Sequence, residues 1–136
     1  MANYYATARS NYFRVYNAAS FEAWCNKRHL DFWTKQFDDV GKRYAISLGQ
    51  DCEGGWPNYE IEQDAEIDFF AELAEHLDKG DVAVLVEVGS EKLRYLIGEA
   101  IAVNSKGRMI RVTLDEIYDK AVAELGPDVT VTPATY

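Results

Sequence analysis

The sequence predicts an α+β domain, in which about three helices pack on a single, mostly antiparallel sheet. Three observations predict this class. Several short segments alternate apolar and polar residues with a period of two, as half-buried strands do. Three other segments repeat apolar residues at helical spacing. The links between neighbouring strand segments are short, and short links favour antiparallel pairing. The predicted order is β-α-β-β-α-β-β-β-α.

The first half of the chain is predicted to contain extended segments and one helix. The N-terminal Tyr-rich stretch forms either one interrupted strand or a strand with a bend at Arg9-Ser10. Ser20 is the predicted N-cap of the helix, because its hydroxyl can accept a hydrogen bond from a first-turn N–H. Phe21 and Trp24 follow at helical spacing and are expected on the buried face. The predicted extended segments are residues 3–8, 11–16, 31–36 and 42–48.

The second half is predicted to begin with a loop over residues 49–58. Asp64 or Gln63 is then predicted to start the second helix, and Gly80 to follow its end as the C′ residue. Gly98 is a predicted β-bulge. The remaining predicted elements are strands at 82–88, 93–103 and 108–114, a helix at 114–125, and a tail that is loosely ordered from about residue 128.

Length and composition predict one domain spanning residues 1–136. No segment reaches the roughly 18 consecutive apolar residues of a membrane span. The N-terminus lacks the basic start and apolar run of a signal peptide. Two cysteines do not make a disulfide framework. We therefore expect a cytoplasmic protein with reduced thiols, no membrane association and no cofactor, either monomeric or a homodimer.

Negative charge is concentrated in one window. The chain has a formal net charge of −9, and residues 51–78 contain ten acidic residues and no Lys or Arg. Such a field repels nucleic-acid phosphates and attracts basic surfaces. Five of the carboxylates fall on every second position, namely Glu60, Glu62, Asp64, Glu66 and Asp68.

This window has three interpretations. In the first, the window is a solvated helix start, because acidic residues suit the first turn of a helix. In the second, it is a surface that docks on a basic protein, because solubilising surfaces usually mix both signs. In the third, it is a divalent-metal site, which requires carboxylates that converge on one point. The sequence shows no EF-hand pattern and no other recognisable ligand spacing.

Other chemistry has weaker support. Cys25, His29, Cys52 and His76 lack the short Cys-Cys and His-His spacing of zinc sites, so Cys25 is expected to be a buried thiol. No signature of nucleophilic catalysis or of a nucleotide-binding loop is present, and no catalytic residue is predicted. The net charge argues against stacking of nucleic acid on the aromatic N-terminal strand, whose relevant residues are Tyr4, Tyr5, Arg9, Tyr12, Phe13, Arg14 and Tyr16.

Two stretches resemble small proteins carried by phages and other mobile elements. They are "YYATARSNYFRV", residues 4–15, and "AVLVEVGSEKLRYLIGEAIAVNSKG", residues 83–107. Some small acidic proteins of that kind inhibit CRISPR or restriction systems by covering or imitating a nucleic-acid-binding surface. The resemblance implies that context, with the host cell cytoplasm as the location, and no residue role carries over from it.

The leading hypothesis is a non-enzymatic inhibitor that binds a host nucleic-acid-processing protein and makes no direct contact with nucleic acid. Anti-phage defence proteins, such as those of CRISPR systems, are the candidate partners. The alternatives are a metal-dependent enzyme that acts on phosphate esters through the same carboxylates, and a structural or regulatory phage protein. Trp56 and Tyr59 are candidate aromatic anchors. The predicted partner-binding carboxylates are Glu60, Glu62, Asp64, Glu66, Asp68, Glu72 and Glu75.

Overall fold

The computed structural model describes residues 4–38, 41–48, 55–60, 63–91 and 95–134, and these ranges form an α+β fold of eight strands and three helices. The predicted class and the order of its elements are confirmed, with one short hairpin, β4–β5, added before the second helix. The elements are β1 Tyr4–Ser10, α1 Ala18–Lys27, β2 Leu30–Phe37, β3 Gly41–Leu48, β4 Tyr59–Glu60, β5 Ala65–Glu66, α2 Phe69–His76, β6 Val82–Glu91, β7 Tyr95–Asn104, β8 Met109–Thr113 and α3 Glu116–Leu125.

The main sheet has six strands in the order β2-β3-β1-β6-β7-β8, and every pairing among them is antiparallel. The hairpins β2–β3 and β6–β7–β8 are local, whereas β1 lies between them and joins the two halves. The central position of β1 therefore depends on pairing between distant parts of the chain. The β4–β5 hairpin forms a separate two-stranded sheet.

A bend in the N-terminal stretch, one of the two predicted alternatives, coincides with a shift in strand register. The partners on β3 change from Arg9↔Ser47 to Phe13↔Tyr44, so four steps along one segment face three along the other. The hydroxyl of Ser10 lies at this shift and accepts a hydrogen bond from the backbone N–H of Ile46 at 2.9 Å. A polar side chain thus satisfies a buried donor where the regular ladder is interrupted.

The predicted starts of two helices are wrong. Asn17 caps α1, because its side chain accepts from the N–H of Ser20, which lies inside the helix. Asp68 caps α2 by accepting from the N–H of Ala71. Asp64 cannot start that helix, because its φ of 49° places it in the left-handed region within a turn.

The predicted roles of two glycines are also wrong. Helix α2 ends at His76, because Leu77 becomes extended and pairs with Val15, so Gly80 lies in the next turn. Gly98 is not a bulge, since the β6–β7 register runs through it without interruption. Instead, a Cβ at Gly98 would stand 2.6 Å from the side chain of Leu114, so glycine leaves room for that leucine.

The hydrophobic core lies between one face of the sheet and the helices α1 and α2. It is rich in aromatic residues: Phe21 packs edge-on against Phe13, and Trp24 stacks on Phe69 with ring centroids 5.2 Å apart. Helix α3 buries none of its residues. In the described part of the chain, no helix is long and apolar enough to cross a membrane.

His76 is a half-buried titratable group that packs against this aromatic cluster. Its ring centroid is 5.3 Å from that of Trp24 and 5.9 Å from that of Phe21. Its Nδ1 is buried and has no hydrogen-bond partner within the described part of the chain. Burial holds the pKa of His76 below its ordinary value of 6.5, although the charges of Glu75 and Glu72 act in the opposite direction.

We expect the free energy of unfolding to fall as the pH drops below 6.5, because the unfolded chain then binds a proton at His76 more readily than the folded protein does. One such group contributes at most about 1.4 kcal/mol per pH unit. Urea unfolding between about pH 7.5 and 5.5 measures this slope. The variant His76→Phe should flatten it, and His29→Gln, which changes an exposed histidine, should leave it unchanged. An unaltered slope in His76→Phe would contradict this assignment.

Candidate partner-binding surface

The acidic window folds into the β4–β5 hairpin and helix α2. Tyr59 pairs with Glu66 and Glu60 with Ala65, so Glu60 and Glu66 lie on opposite faces of the hairpin. Asp64 lies in the turn between the strands. The turn ends the alternation along the extended segment, and the exposed carboxylates of the hairpin are Asp64 and Glu66. Glu62 lies outside the described residues.

Arg28, at the C-terminal end of α1, binds two of the predicted surface carboxylates. Its Nε and Nη2 donate to the two oxygens of Glu72 at 2.9 and 2.8 Å. Its Nη1 lies 3.3 Å from Oε2 of Glu60. The side chain of Arg28 is only 8% exposed, so the pairing takes place largely away from water. The indole N–H of Trp24 also donates to Glu72, at 2.8 Å.

This network assigns a structural role to Glu60 and Glu72. Hydrogen bonds from Arg28 hold the pKa of Glu72 below its ordinary value, so this carboxylate stays ionised. Arg28 joins α1, α2 and the hairpin through one guanidinium. The two carboxylates therefore contribute little net charge to the outer surface, because a cation compensates them at contact distance.

Helix α2 carries three acidic residues on one face. Asp68, Glu72 and Glu75 are spaced i, i+4 and i+7, which places them along one side of a helix. Glu72 turns to Arg28, whereas Asp68 and Glu75 are exposed. Among the described residues of the acidic window, the exposed carboxylates thus come from two elements: Asp64 and Glu66 from the hairpin, and Asp68 and Glu75 from α2 and its N-cap.

The two candidate aromatic anchors differ. Trp56 is 9% exposed and stacks on Phe69, with ring centroids 5.4 Å apart and ring planes at 17°. It is part of the core and cannot enter a partner's pocket. Tyr59 is 47% exposed on the hairpin. Gly55, before Trp56, has a φ of 87°, and a Cβ there would stand 2.5 Å from Oε1 of Glu87.

A groove of about 330 Å³ opens beside α2 and is both acidic and aromatic. Three carboxylates line it, those of Asp68, Glu87 and Glu99. Glu87 accepts from the backbone N–H of Trp56 at 3.2 Å. Glu99 accepts from Nε of the exposed Arg111 at 2.9 Å. The remaining lining residues are Trp56, Pro57, Asn58, Ile67, Phe69 and Phe70.

Sequence reasoning missed Glu87 and Glu99 because they lie outside the acidic window, on β6 and β7. They are cross-strand partners and therefore share a face of the sheet. Ala83 and Leu85 precede Glu87 on that face and are buried. The sequence could have indicated Glu87, because it continues the alternation of buried apolar residues. Charged residues are rarely placed on a core face without a function or a partner.

A larger cleft of about 710 Å³ lies on the other side of the hairpin and has mixed charge. Lys27, Arg28 and His29 from the end of α1 line it together with Tyr59 and Glu60. The surface of exposed carboxylates therefore ends at the hairpin, and it contains a cation, Arg111, paired with Glu99. It extends from Asp64 and Glu66 toward the groove and α2, away from α1.

Residues considered for metal binding do not assemble. Within the described ranges, no group of three or more His, Cys, Asp or Glu residues is arranged to hold a metal ion. Cys25 is fully buried, as expected, and burial raises the pKa of its thiol to about 12. His29 is exposed and has a φ of 57°, and His76 lies among aromatic rings. Cys52 lies outside the described residues.

The aromatic and basic residues near the N-terminus contact one another. Arg9 lies over the rings of Trp33 and Tyr12, at 5.1 and 5.9 Å from the centroids. Arg43 lies 4.6 Å from the ring centroid of Phe37. Such cation–π contacts cover ring faces that a nucleic-acid base would need for stacking. Phe13 is in the core, and the side chains of Tyr4 and Tyr5 lie outside the described residues.

No protein-family model matches this chain, and neither a curated protein nor a solved structure is significantly similar to it.

Replacing Arg28 with Met should lower the free energy of unfolding by about 2–4 kcal/mol, because it leaves Glu72 and Glu60 without their buried cation. Urea unfolding at neutral pH measures the change. Lys27→Met, at an exposed neighbouring position, serves as the control and should change stability by less than about 0.5 kcal/mol. In the double variant Arg28→Met, Glu72→Gln the losses should be less than additive. Strict additivity would show that the pair is not coupled.

Proposed function

We propose that this protein is a non-enzymatic inhibitor that binds a basic, nucleic-acid-binding surface of another protein. The binding surface is defined as the exposed carboxylates Asp64, Glu66, Asp68 and Glu75 together with the acidic aromatic groove. The observation that carries the proposal is the groove, which Asp68 and Glu87 line together with aromatic rings, while its third carboxylate, Glu99, is paired with Arg111. Carboxylates and aromatic faces together suit a Lys or Arg side chain.

The groove would accept one basic side chain of the partner, and the exposed carboxylates around it would meet its neighbours. Each exposed ion pair contributes only about 0.2–1 kcal/mol. A cation partly desolvated against Phe70 and the carboxylates gains more, because low dielectric strengthens the attraction. The groove would therefore position the partner, while Asp64, Glu66 and Glu75 would speed its association and make the association rate sensitive to salt.

A partner that normally holds phosphates fits this chemistry. Arg and Lys residues arranged for phosphate oxygens also bind carboxylates, since both groups accept charge-assisted hydrogen bonds. A protein with a negative surface can therefore compete with nucleic acid for the same residues. The resemblance to phage proteins makes a host defence protein, of CRISPR type among others, the partner class that we favour.

Removing three exposed charges should weaken binding without loss of the fold. In the triple variant Asp64→Asn, Glu66→Gln, Glu75→Gln, affinity should fall roughly tenfold at low salt, and the dependence on salt should decrease. The residues that bind Arg28 are left intact. The control Asp119→Asn, Glu124→Gln, Asp128→Asn removes the same number of exposed charges from α3 and the tail.

The measurement uses the immobilised protein and a nuclease-treated host lysate, followed by titration of the captured protein at two salt concentrations. Capture should be reversed by added nucleic acid, because the proposal assigns both ligands to one site. Capture that survives the triple variant, or that nucleic acid does not displace, would reject the proposal. If the triple variant and the control lose affinity equally, the effect depends on net charge alone, and the proposed surface is rejected.

Asp68 allows the charge of the groove to be separated from helix capping. Asp68→Asn keeps a side-chain oxygen at the N-cap, so stability should change little, whereas partner binding should weaken because the charge is lost. Asp68→Ala should also lower the free energy of unfolding by about 1 kcal/mol. Thermal unfolding and partner titration of both variants check this. Unimpaired binding by Asp68→Asn would exclude this carboxylate from the site.

A further inference from the structure

The face of the sheet opposite α1 and α2 is uncovered over β6, β7 and β8. Cross-strand partners share a face, so the register places successive rows such as Val86–Ala100–Val112 on this side. The large aliphatic side chains on it that are between 41% and 60% exposed are Val82, Val86, Val88, Leu96, Ile110, Val112 and Leu114. Within the described part of these three strands, this face carries no charged side chain.

Helix α3 has a second uncovered apolar surface close to this face. Ile117, Val122 and Leu125 fall on one stripe of the helix and are 45–71% exposed. An apolar cavity of about 610 Å³ connects the two surfaces, because Leu96 and Leu114 line it together with Ile117. The open sheet face and the α3 stripe therefore form one continuous apolar surface, which we call the β6–α3 face.

We infer that the β6–α3 face is the interface of a homodimer. Its large aliphatic residues are each about half exposed and together offer on the order of 800 Å², which equals each partner's share of a standard interface. Monomeric proteins usually leave apolar patches of only about 300–600 Å² uncovered. A surface of this size and composition is typical of one that another chain covers.

The β6–α3 face gives a second copy of this chain a place to bind in spite of its net charge. A net charge of −9 makes two copies repel each other over most approaches. The strand part of the β6–α3 face carries no charge within the described residues, so two copies can meet there with Asp115, beside the cavity, as a charged group at its edge. An apolar sheet face can also pack against its own copy about a two-fold axis, as an isologous dimer requires. The unpartnered α3 stripe supplies further apolar area at the edge of the same contact.

The proposed dimer leaves the acidic surface accessible. Asp68 and the groove lie on the side of the sheet covered by α1 and α2, and the dimer contact lies on the opposite side. Each dimer would then present two acidic surfaces. The inference is independent of the proposed function, since dimerisation and partner binding use different faces and can fail separately.

Sedimentation equilibrium of the full chain over a hundredfold range of concentration tests the inference. We expect a species of twice the chain mass that dissociates on dilution. Val112→Glu should raise the dimer dissociation constant at least tenfold, because it places a charge in the contact. The matched control is Met109→Glu on the same strand, since Met109 is 45% exposed and faces the other side of the sheet.

Leu125→Lys in α3 gives an independent test that does not alter the sheet. It should also weaken the dimer at least tenfold, and far-UV circular dichroism checks that each variant is folded. A wild-type chain that stays monomeric at the highest concentration would overturn the inference. Equal weakening by Val112→Glu and Met109→Glu, or no weakening by Leu125→Lys, would also overturn it, because the contact would not be the β6–α3 face.

Discussion

The ion pair of Arg28 with Glu72 is the interaction on which the acidic side of this protein depends. The guanidinium is nearly buried at the end of α1, makes two hydrogen bonds to Glu72 and contacts Glu60. An arginine does not lose its charge, so burial is tolerable only while carboxylates remain beside it. Because those carboxylates belong to α2 and to the β4–β5 hairpin, one charged group determines how three elements are placed. The residues that flank this hairpin and begin α2 line the groove, so its shape depends on that placement.

The carboxylates of the acidic window therefore have different physical roles, although they look alike in the sequence. Glu60 and Glu72 compensate a buried cation, and Asp68 caps a helix while it lines the groove. Asp64 and Glu66 have no such structural task in the described contacts and face solvent on the hairpin. A uniform run of negative charge thus separates into groups that maintain the fold and groups that remain available for binding. The groove gains one further carboxylate, Glu87, from a strand that lies far along the chain, whereas Glu99 on the next strand is paired with Arg111.

The two faces of the main sheet are treated differently. One face is closed by α1 and α2 over an aromatic core, which also encloses Cys25 and His76. On the other face, rings near β2 are covered by the chain's own arginines and lysines, whereas β6, β7 and β8 present bare aliphatic side chains. A sheet needs a layer on each apolar face to bury it. The third helix is amphipathic, yet it buries none of its residues within its own chain. The apolar face over β6, β7 and β8 therefore lacks a covering layer within the described part of its own chain.

Local patterns in the sequence were sufficient to predict the α+β class, the positions of the long strands, the buried thiol of Cys25 and the sign of the charged window. These depend on period, composition and nearest neighbours, which are local properties of a chain. Which carboxylates remain exposed depends on contacts between distant parts of the chain. Arg28 and Glu72 are 44 residues apart, and no local sequence pattern predicts their contact. The left-handed turn at Asp64 moved the start of α2 to Asp68, and strand pairing placed Glu87 and Glu99 beside it. Long-range pairing and desolvation decide these features, because a charge acquires its role only from the groups that folding brings within a few ångströms.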